Sequence, residues 1–299
     1  LLSSLLLSCA SNKTTSPIKT IIVKKVKEAS DPWKETIKKV RPAVVYIRYY
    51  VPHSLSLEKI GVFSGTGFIV DRKNGIILTN RHIVGESPNR AKAVFADYTE
   101  IDLLPLYIDP VHDFGFFKFD PKKLSKEISE QLNLMDGEVE IGTQIRVIGN
   151  DGGKELSISD GTISRIEKNA PKYTYGYYDF NTYYYQSNTN TSGGSSGSPV
   201  IDVDGNVIAL NAGGSTRTSH SYFLPISYAI RALKSLREGK KPDRGTIGTV
   251  FRKIGIEKVR QRKFPSEILD KMLSQNPKLN GLLIVRTQLS WKSNSKKTL

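Results

Sequence analysis

One cysteine among 299 residues cannot form an intramolecular disulfide, and it excludes zinc or iron–sulfur sites built on cysteine. No stretch reaches the roughly 18–20 consecutive apolar residues that a membrane-spanning helix needs. Glycine (24) and proline (14) are near average, so collagen-like and low-complexity chains are set aside. Histidine is scarce too: there are four, and His53, His112 and His220 show no metal-ligand spacing. Neither a metal nor an organic cofactor is expected. What is present is a hydrophobic fraction of 38%, ordinary for a globular chain of one large domain or two smaller ones.

The net charge of +15 suggests a nucleic-acid binder until it is divided along the chain. Residues 1–40 carry 8 basic and 3 acidic side chains, residues 41–230 carry 18 and 21, and residues 231–299 carry 18 and 5. The excess lies at the two ends. The near-neutral body shows no basic stripe with interleaved aromatics, so no specific nucleic-acid partner is expected. Basic ends are usually solvated faces, although they can attract phosphate or anionic lipid.

Beginning at Leu1 and not Met, the chain reads as one that has lost an initiating segment. Leu1 to Ala10 looks like the back half of a signal peptide. It resembles a bacterial lipoprotein signal, in which Leu-Leu-Ser precedes the lipidated cysteine, here Cys9. Residues 1–30 would then be a signal and tether-like segment with a lipid anchor at Cys9; the bland alternative is a frayed end with Cys9 a bystander.

Asp31-Pro32 opens a short helix, with Trp33, Ile37 and Val40 on one face. From Ala43 to Leu224 the chain consists of short apolar runs punctuated by Gly, Asn and Asp. These are Val44–Tyr50, Gly67–Val70, Ile76–Thr79, Ala91–Phe95, Phe114–Phe119, Ile145–Gly149, Ile158–Ile166, Pro199–Val203 and Val207–Asn211. Such spacing argues for an all-β sandwich or barrel. Asp204-Gly205 is a hairpin turn signal, favoured over the calcium loop that Asp202, Asp204 and Asn206 mimic. The Tyr-rich stretch Tyr173–Tyr185 reads as a surface hairpin, and Gly65-Thr66-Gly67 as a bend in a barrel strand. After Leu224-Pro225 a helix carries Ile226, Ile230 and Leu233 on one face and ends at Gly239. Lys240–Arg244 reads as a linker. Beyond it come a strand at Thr246–Phe251, a helix at Ser266–Leu273 and a strand at Gly281–Val285, too little to bury a good core alone.

Three local patterns combine into chemistry. His82 follows the strand Gly75–Thr79 through Asn80-Arg81. Asp113 precedes the run Phe114–Phe119. Gly193-Gly194-Ser195-Ser196-Gly197-Ser198-Pro199-Val200 is a glycine-rich loop entering a strand. His, then Asp 31 residues on, then Ser 83 residues after that, is the order of the chymotrypsin triad. A serine hydroxyl needs an imidazole to take its proton, and the imidazole needs a carboxylate to fix its tautomer. The glycines let backbone N–H groups converge on one point, where an oxyanion develops.

The segments Gly65–Val70, Leu78–Val84, His112–Lys118 and Gly194–Val200 resemble those of the HtrA/Deg trypsin-fold serine proteases. Asp113-Phe114-Gly115-Phe116, Ile148-Gly149-Asn150-Asp151, Asp179-Phe180-Asn181-Thr182, Thr191–Val200 and Ala209–Ser215 are similar to the fungal nuclear, pro-apoptotic HtrA-like subgroup. The resemblance covers residues 31–250. It implies a chymotrypsin-like double β-barrel over 31–239, followed by a linker and a truncated PDZ-like segment over 240–299. It also implies His82 as general base, Asp113 as its orienting carboxylate and Ser196, in preference to Ser195, as nucleophile. The backbone N–H groups of Gly194 and Ser196 would form the oxyanion hole. Ser198 departs from the second Gly of the family loop and puts the loop conformation in question.

Asn190, six residues before Ser196, resembles the floor of the primary specificity pocket. An uncharged floor cannot repay the desolvation of Lys or Arg, so small or medium apolar side chains are expected there. Asn211-Ala212-Gly213 should pair with extended substrate backbone. The resulting expectation is a serine endopeptidase acting on unfolded or extended polypeptides in protein quality control, as a homo-oligomer. The rival is a catalytically silent peptide-binding or chaperone-like scaffold. The Leu-rich start points to a bacterial envelope or periplasm; the subgroup resemblance points instead to a eukaryotic nucleus.

Overall fold

A computed structural model describes residues 31–55, 59–125, 128, 130–150, 156–169, 179–189, 191–215, 220–277 and 279–287. The signal-like segment with Cys9, the pocket-floor position Asn190 and residues 173–178 of the Tyr-rich stretch lie outside these. The chain runs through helix α1 (Pro32–Val40) and strands β1 (Val44–Val51), β2 (Gly61–Asp71) and β3 (Ile76–Thr79). A one-turn helix α2 (Arg81–Val84) precedes β4 (Arg90–Val94), β5 (Glu100–Ile108) and β6 (Gly115–Lys118). Next come β7 (Gln144–Gly149), β8 (Ser157–Asn169), β9 (Tyr183–Ser187), β10 (Pro199–Ile201), β11 (Val207–Ser215) and β12 (His220–Pro225). Helix α3 (Ser227–Arg237), strand β13 (Thr249–Ile254), helices α4 (Ile256–Gln261) and α5 (Ser266–Gln275) and strand β14 (Gly281–Thr287) complete the order.

The first six strands close into a barrel in the order β1-β2-β3-β6-β5-β4, and the next six into another, β10-β11-β12-β9-β8-β7. Closure removes free sheet edges. It also makes every strand bury one face, which is why period-two alternation is visible in β4 and β5. Ile47, Phe68, Ile77, Leu78, Phe116 and Phe117 of the first six strands belong to a buried cluster that continues into the second barrel and onto α1 and α3. The second barrel is filled by Ile145, Val147, Ile163, Val200, Ile208 and Phe223.

The expected hairpin at Asp204-Gly205 is present: Asp202 Oδ1 accepts the amides of Asp204 (3.0 Å) and Asn206 (2.8 Å), and Gly205 takes φ 86°. Helix α1 packs on this turn, with Thr36 Oγ1 donating to Val203 O at 2.6 Å, and lays Trp33 under the Arg146 guanidinium. Helix α3 returns to the first barrel through Arg237, which donates to Asp71 Oδ2 (2.7 Å) and Val70 O (2.8 Å).

Several expectations change. The Gly65-Thr66-Gly67 segment is no bend; it lies inside the continuous strand β2. A Cβ at Gly67 would press on Ile47 and Ile77 at 2.7 and 2.8 Å, so the glycines serve close approach. The end of the Tyr-rich stretch is β9, which pairs antiparallel with β8 as a hairpin does, but in the barrel wall and not at the surface, with Tyr184 fully buried. Strands β5 and β12 escape the run-based reading, because Asp102 and Pro105 interrupt one and polar His220-Ser221 opens the other. Lys240–Arg244 is no free linker, since Arg244 Nε donates to Asp109 Oδ2 at 2.9 Å. The C-terminal segment pairs β13 with β14 in a two-stranded sheet. Among its described residues from Thr249 to Thr287, Leu269 alone is buried, in line with too small a core.

Candidate active site

His82 sits on α2, one turn beyond β3, and Asp113 sits just before β6, the strand that pairs with β3. Pairing of the two strands therefore brings their ends together. His82 Nδ1 lies 3.0 and 2.9 Å from Asp113 Oδ1 and Oδ2, and the His82 amide donates to Oδ1 at 3.1 Å. Asn80 Nδ2 holds the Asp113 carbonyl at 2.9 Å. Asp113 is 1% exposed. A buried carboxylate facing Nδ1 selects the tautomer protonated there and leaves the Nε2 lone pair available. Crowding by the surrounding protein lowers the proton affinity of His82. The charge and hydrogen bond of Asp113, with a contribution from Asp179, outweigh this and raise its pKa above the usual histidine value.

The serine loop belongs to the second barrel but is gripped by β2 of the first. The Thr66 amide donates to Ser196 O at 2.8 Å, and Thr66 Oγ1 donates to Gly194 O at 2.8 Å. Gly65 faces both the Ile83 side chain and Ser196 O, so the serine lies one layer from the residue that follows His82. Gly194 and Gly197 have φ of 98° and 83°, a left-handed region that favours glycine. A Cβ at Gly197 would collide with the Thr66 carbonyl. Within the loop, the amides of Ser195, Gly197 and Ser198 donate to Ser192 O, Asn211 O and Ser195 O at 3.3, 2.9 and 3.1 Å. Those of Gly194 and Ser196 donate to no group among the described residues.

The two serines have different environments. Ser195 is 2% exposed; its hydroxyl donates to Ser192 O at 2.6 Å and accepts from Asn211 Nδ2 at 3.2 Å. Ser196 is half-buried. Ser198 fits because Gly149 faces it: a Cβ at Gly149 would strike the Ser198 hydroxyl.

The expected substrate edge is shifted. Asn211 is fully buried; its side chain holds Ser195 and its backbone bonds Gly197 and Ser198, so it faces the loop and not a substrate. Ala212 and Gly213 follow a register shift in the β11–β12 pairing. Gly214 abuts Thr191. Behind this edge, Thr191 Oγ1 and Ser221 Oγ are 2.8 Å apart, and Ser221 Oγ donates to Thr189 O at 2.8 Å. Both side chains are buried, polar and uncharged.

Three contributors escape a motif reading. Thr66 binds the serine loop, and Thr79 Oγ1 in turn caps the Thr66 carbonyl at 2.7 Å. Asp179 accepts the Asp113 amide at 3.3 Å and the Tyr184 hydroxyl. The third group, Asp109, His112, Tyr228 and Arg244, braces the loop before Asp113, with His112 stacked on Tyr228 at 4.0 Å. Thr66 and Asp179 lie inside recognisable motifs, but the site residues they hold, Gly194 and Ser196 for Thr66 and Asp113 for Asp179, are 66 to 130 residues away, beyond any local pattern.

The chain matches the model of the trypsin-like peptidase domain over residues 65–210. It is 45% identical over 258 residues to the pro-apoptotic serine protease NMA111 of Yarrowia lipolytica, covering 86% of this chain and 26% of that protein. To the PDZ domain-containing protein C23G3.12c of Schizosaccharomyces pombe it is 42% identical over 261 residues, covering 87% and 26%. The chain thus spans about a quarter of the length of these curated relatives. Among solved structures, the HtrA-type protease AlgW with decapeptide superposes with a TM-score of 0.60 over 86% of this chain and 80% of that one. At 18% identity, this is a likeness of fold.

Proposed function

Because this chain carries a match to the trypsin-like peptidase domain and is similar over most of its length to fungal pro-apoptotic serine proteases, we propose that it is an HtrA-type serine protease that hydrolyses peptide bonds of unfolded or extended polypeptides, in protein quality control, through His82, Asp113 and Ser196. One observation carries the reading. A buried carboxylate orients His82, and Thr66 of β2 holds a glycine loop whose Gly194 and Ser196 amides donate to no described group. With Nδ1–H donated to Asp113, His82 Nε2 takes the Ser196 proton as Oγ attacks the substrate carbonyl. The two amides receive the oxyanion, an interaction for which one donor is worth about 10²–10³ in rate. His82 then returns the proton to the leaving amine, and water resolves the acyl-enzyme by the reverse path.

The edge Ala212–Gly214 supports pairing with extended substrate backbone. The uncharged Thr191–Ser221 pair behind this edge supports small or apolar over basic side chains in the primary pocket. The fungal sources of the relatives support a eukaryotic setting over the bacterial envelope suggested by the Leu-rich start.

Fluorophosphonate labelling tests the assignment, since the probe reacts with a serine activated by a working base and oxyanion hole. Labelling of the wild type is expected, with loss in Ser196→Ala and His82→Ala. Ser195→Ala should still label, within about tenfold, because its hydroxyl only braces the loop. Labelling that follows Ser195 would reassign the nucleophile. A wild type that never labels would favour the silent scaffold.

A further inference from the structure

Asp179 stands 66 residues from Asp113 in sequence, yet its carboxyl lies against the backbone of the triad acid. It is 6% exposed. Its Oδ2 accepts the Tyr184 hydroxyl from β9 and the Asp113 amide at 3.3 Å. Its Oδ1 is buried with no hydrogen-bond partner among the described residues. An ionised carboxylate rarely tolerates such an oxygen, whereas a carboxyl that holds a proton there does so more readily. Nothing in the chemistry of the triad requires a second carboxyl at this place.

We propose that Asp179 is a positioning residue of the triad. Clamped between Tyr184 and the Asp113 amide, it orients the loop that carries Asp113. It also places a second ionisable carboxyl against the Asp113 backbone, which adds to the hold of Asp113 on the His82 proton. The inference rests on the triad reading given above.

The charged and titratable groups around Asp179 are consistent with this role. They are Asp113 before β6, His82 and Arg81 on α2, Tyr184 on β9 and Tyr228 on α3. Burial and the Asp113 charge push Asp179 up to about 7; the Tyr184 and Asp113-amide hydrogen bonds and the Arg81 charge oppose this without cancelling it. Asp179 is raised out of the ordinary carboxylate range, towards neutral pH, and His82 is raised above the usual histidine value. Each negative charge on it favours the imidazolium, so the two sites titrate as a coupled pair. At low pH Asp179 is neutral and His82 is charged. As pH rises, ionised Asp179 holds the His82 proton longer than Asp113 alone would.

The test is a pH titration of the histidine ring signals by NMR, on the full chain carrying Ser196→Ala to prevent self-cleavage. His82 is identified by the signal lost in His82→Ala. Three results are expected. Without further substitution, the His82 curve is flatter than that of a single proton. In Asp179→Asn, which keeps an acceptor for both clamping donors but removes the charge, the His82 midpoint moves to lower pH and the curve sharpens. In Tyr184→Phe, which removes a bond favouring ionised Asp179, the midpoint moves the same way by less. In the catalytically intact chain, the acid limb of kcat/KM should follow the midpoint, with KM changed less than twofold. A one-proton His82 curve, or a midpoint unmoved in a folded Asp179→Asn, overturns the proposal. If the midpoint moves but fluorophosphonate never labels Ser196, the coupling stands and the protease reading fails.

Discussion

Asp179 and Asp109 are both buried, and they respond to pH in opposite senses. Burial would raise Asp109 as well, but hydrogen bonds from His112 and Arg244 and the amides of His112 and Val111 outweigh it and hold it well below the usual carboxylate range. Its stabilisation is present above the unfolded value of 3.8 and is lost as pH falls below it. Asp179, raised to about 7, behaves inversely: its folded state is favoured below 3.8 and loses ground as pH climbs through 7. Asp179→Asn should therefore be more stable than the wild type at pH 8, by a few kcal/mol at most, with the gap closing towards pH 4. Thermal unfolding across that range measures it. A gap that widens at acid pH would contradict a raised Asp179.

Among the elements, the segment after α3 shows how tertiary contact overrides local texture. Lys240–Arg244 has the composition of a linker, yet Arg244 forms an ion pair with Asp109 and touches His112. Asp109 is 1% exposed, so removing its partner leaves a buried charge unpaired, which typically costs about 3–5 kcal/mol. Arg244→Ala should lower thermal stability accordingly, and Asp109→Asn added to it should recover much of the loss. Denaturant unfolding of the two variants and their combination reads the coupling directly. At the same scale, β3, β7 and α3 were legible because their apolar periodicity is local. For β9 the sequence is ambiguous, because tyrosine suits an exposed hairpin and a barrel wall equally; the buried partner of Tyr184, Asp179, is what separates the two cases. β5 was missed because Asp102 and Pro105 break its run, although pairing on both sides keeps it in the barrel.

For the whole molecule, the site depends on two barrels that meet at Thr66. Its hydroxyl donates to Gly194 O and accepts the Asn150 amide at 3.0 Å, joining β2 to both the serine loop and the end of β7. Thr66→Val preserves the shape and leaves both groups without that partner, a loss of about 1–3 kcal/mol. Fluorophosphonate labelling should slow by at least about tenfold while the fold persists. Unchanged labelling would show that the loop holds its form without the first barrel. The sequence by itself determined the candidate chemistry: one histidine, one aspartate and one serine loop in triad order, glycines where the backbone must turn, and strand periodicity enough for an all-β chain. These signals are short-range, and each is readable within a window of about ten residues. Only the tertiary structure decided which of the two adjacent serines is braced and which is half-buried, and that Asn211 supports the loop. It alone joined Asp179 to Asp113 and Arg244 to Asp109. The physical reason is that a buried polar group must find its partner wherever barrel closure brings one near. Those partners lie 16 to 135 residues away, where no local pattern records them.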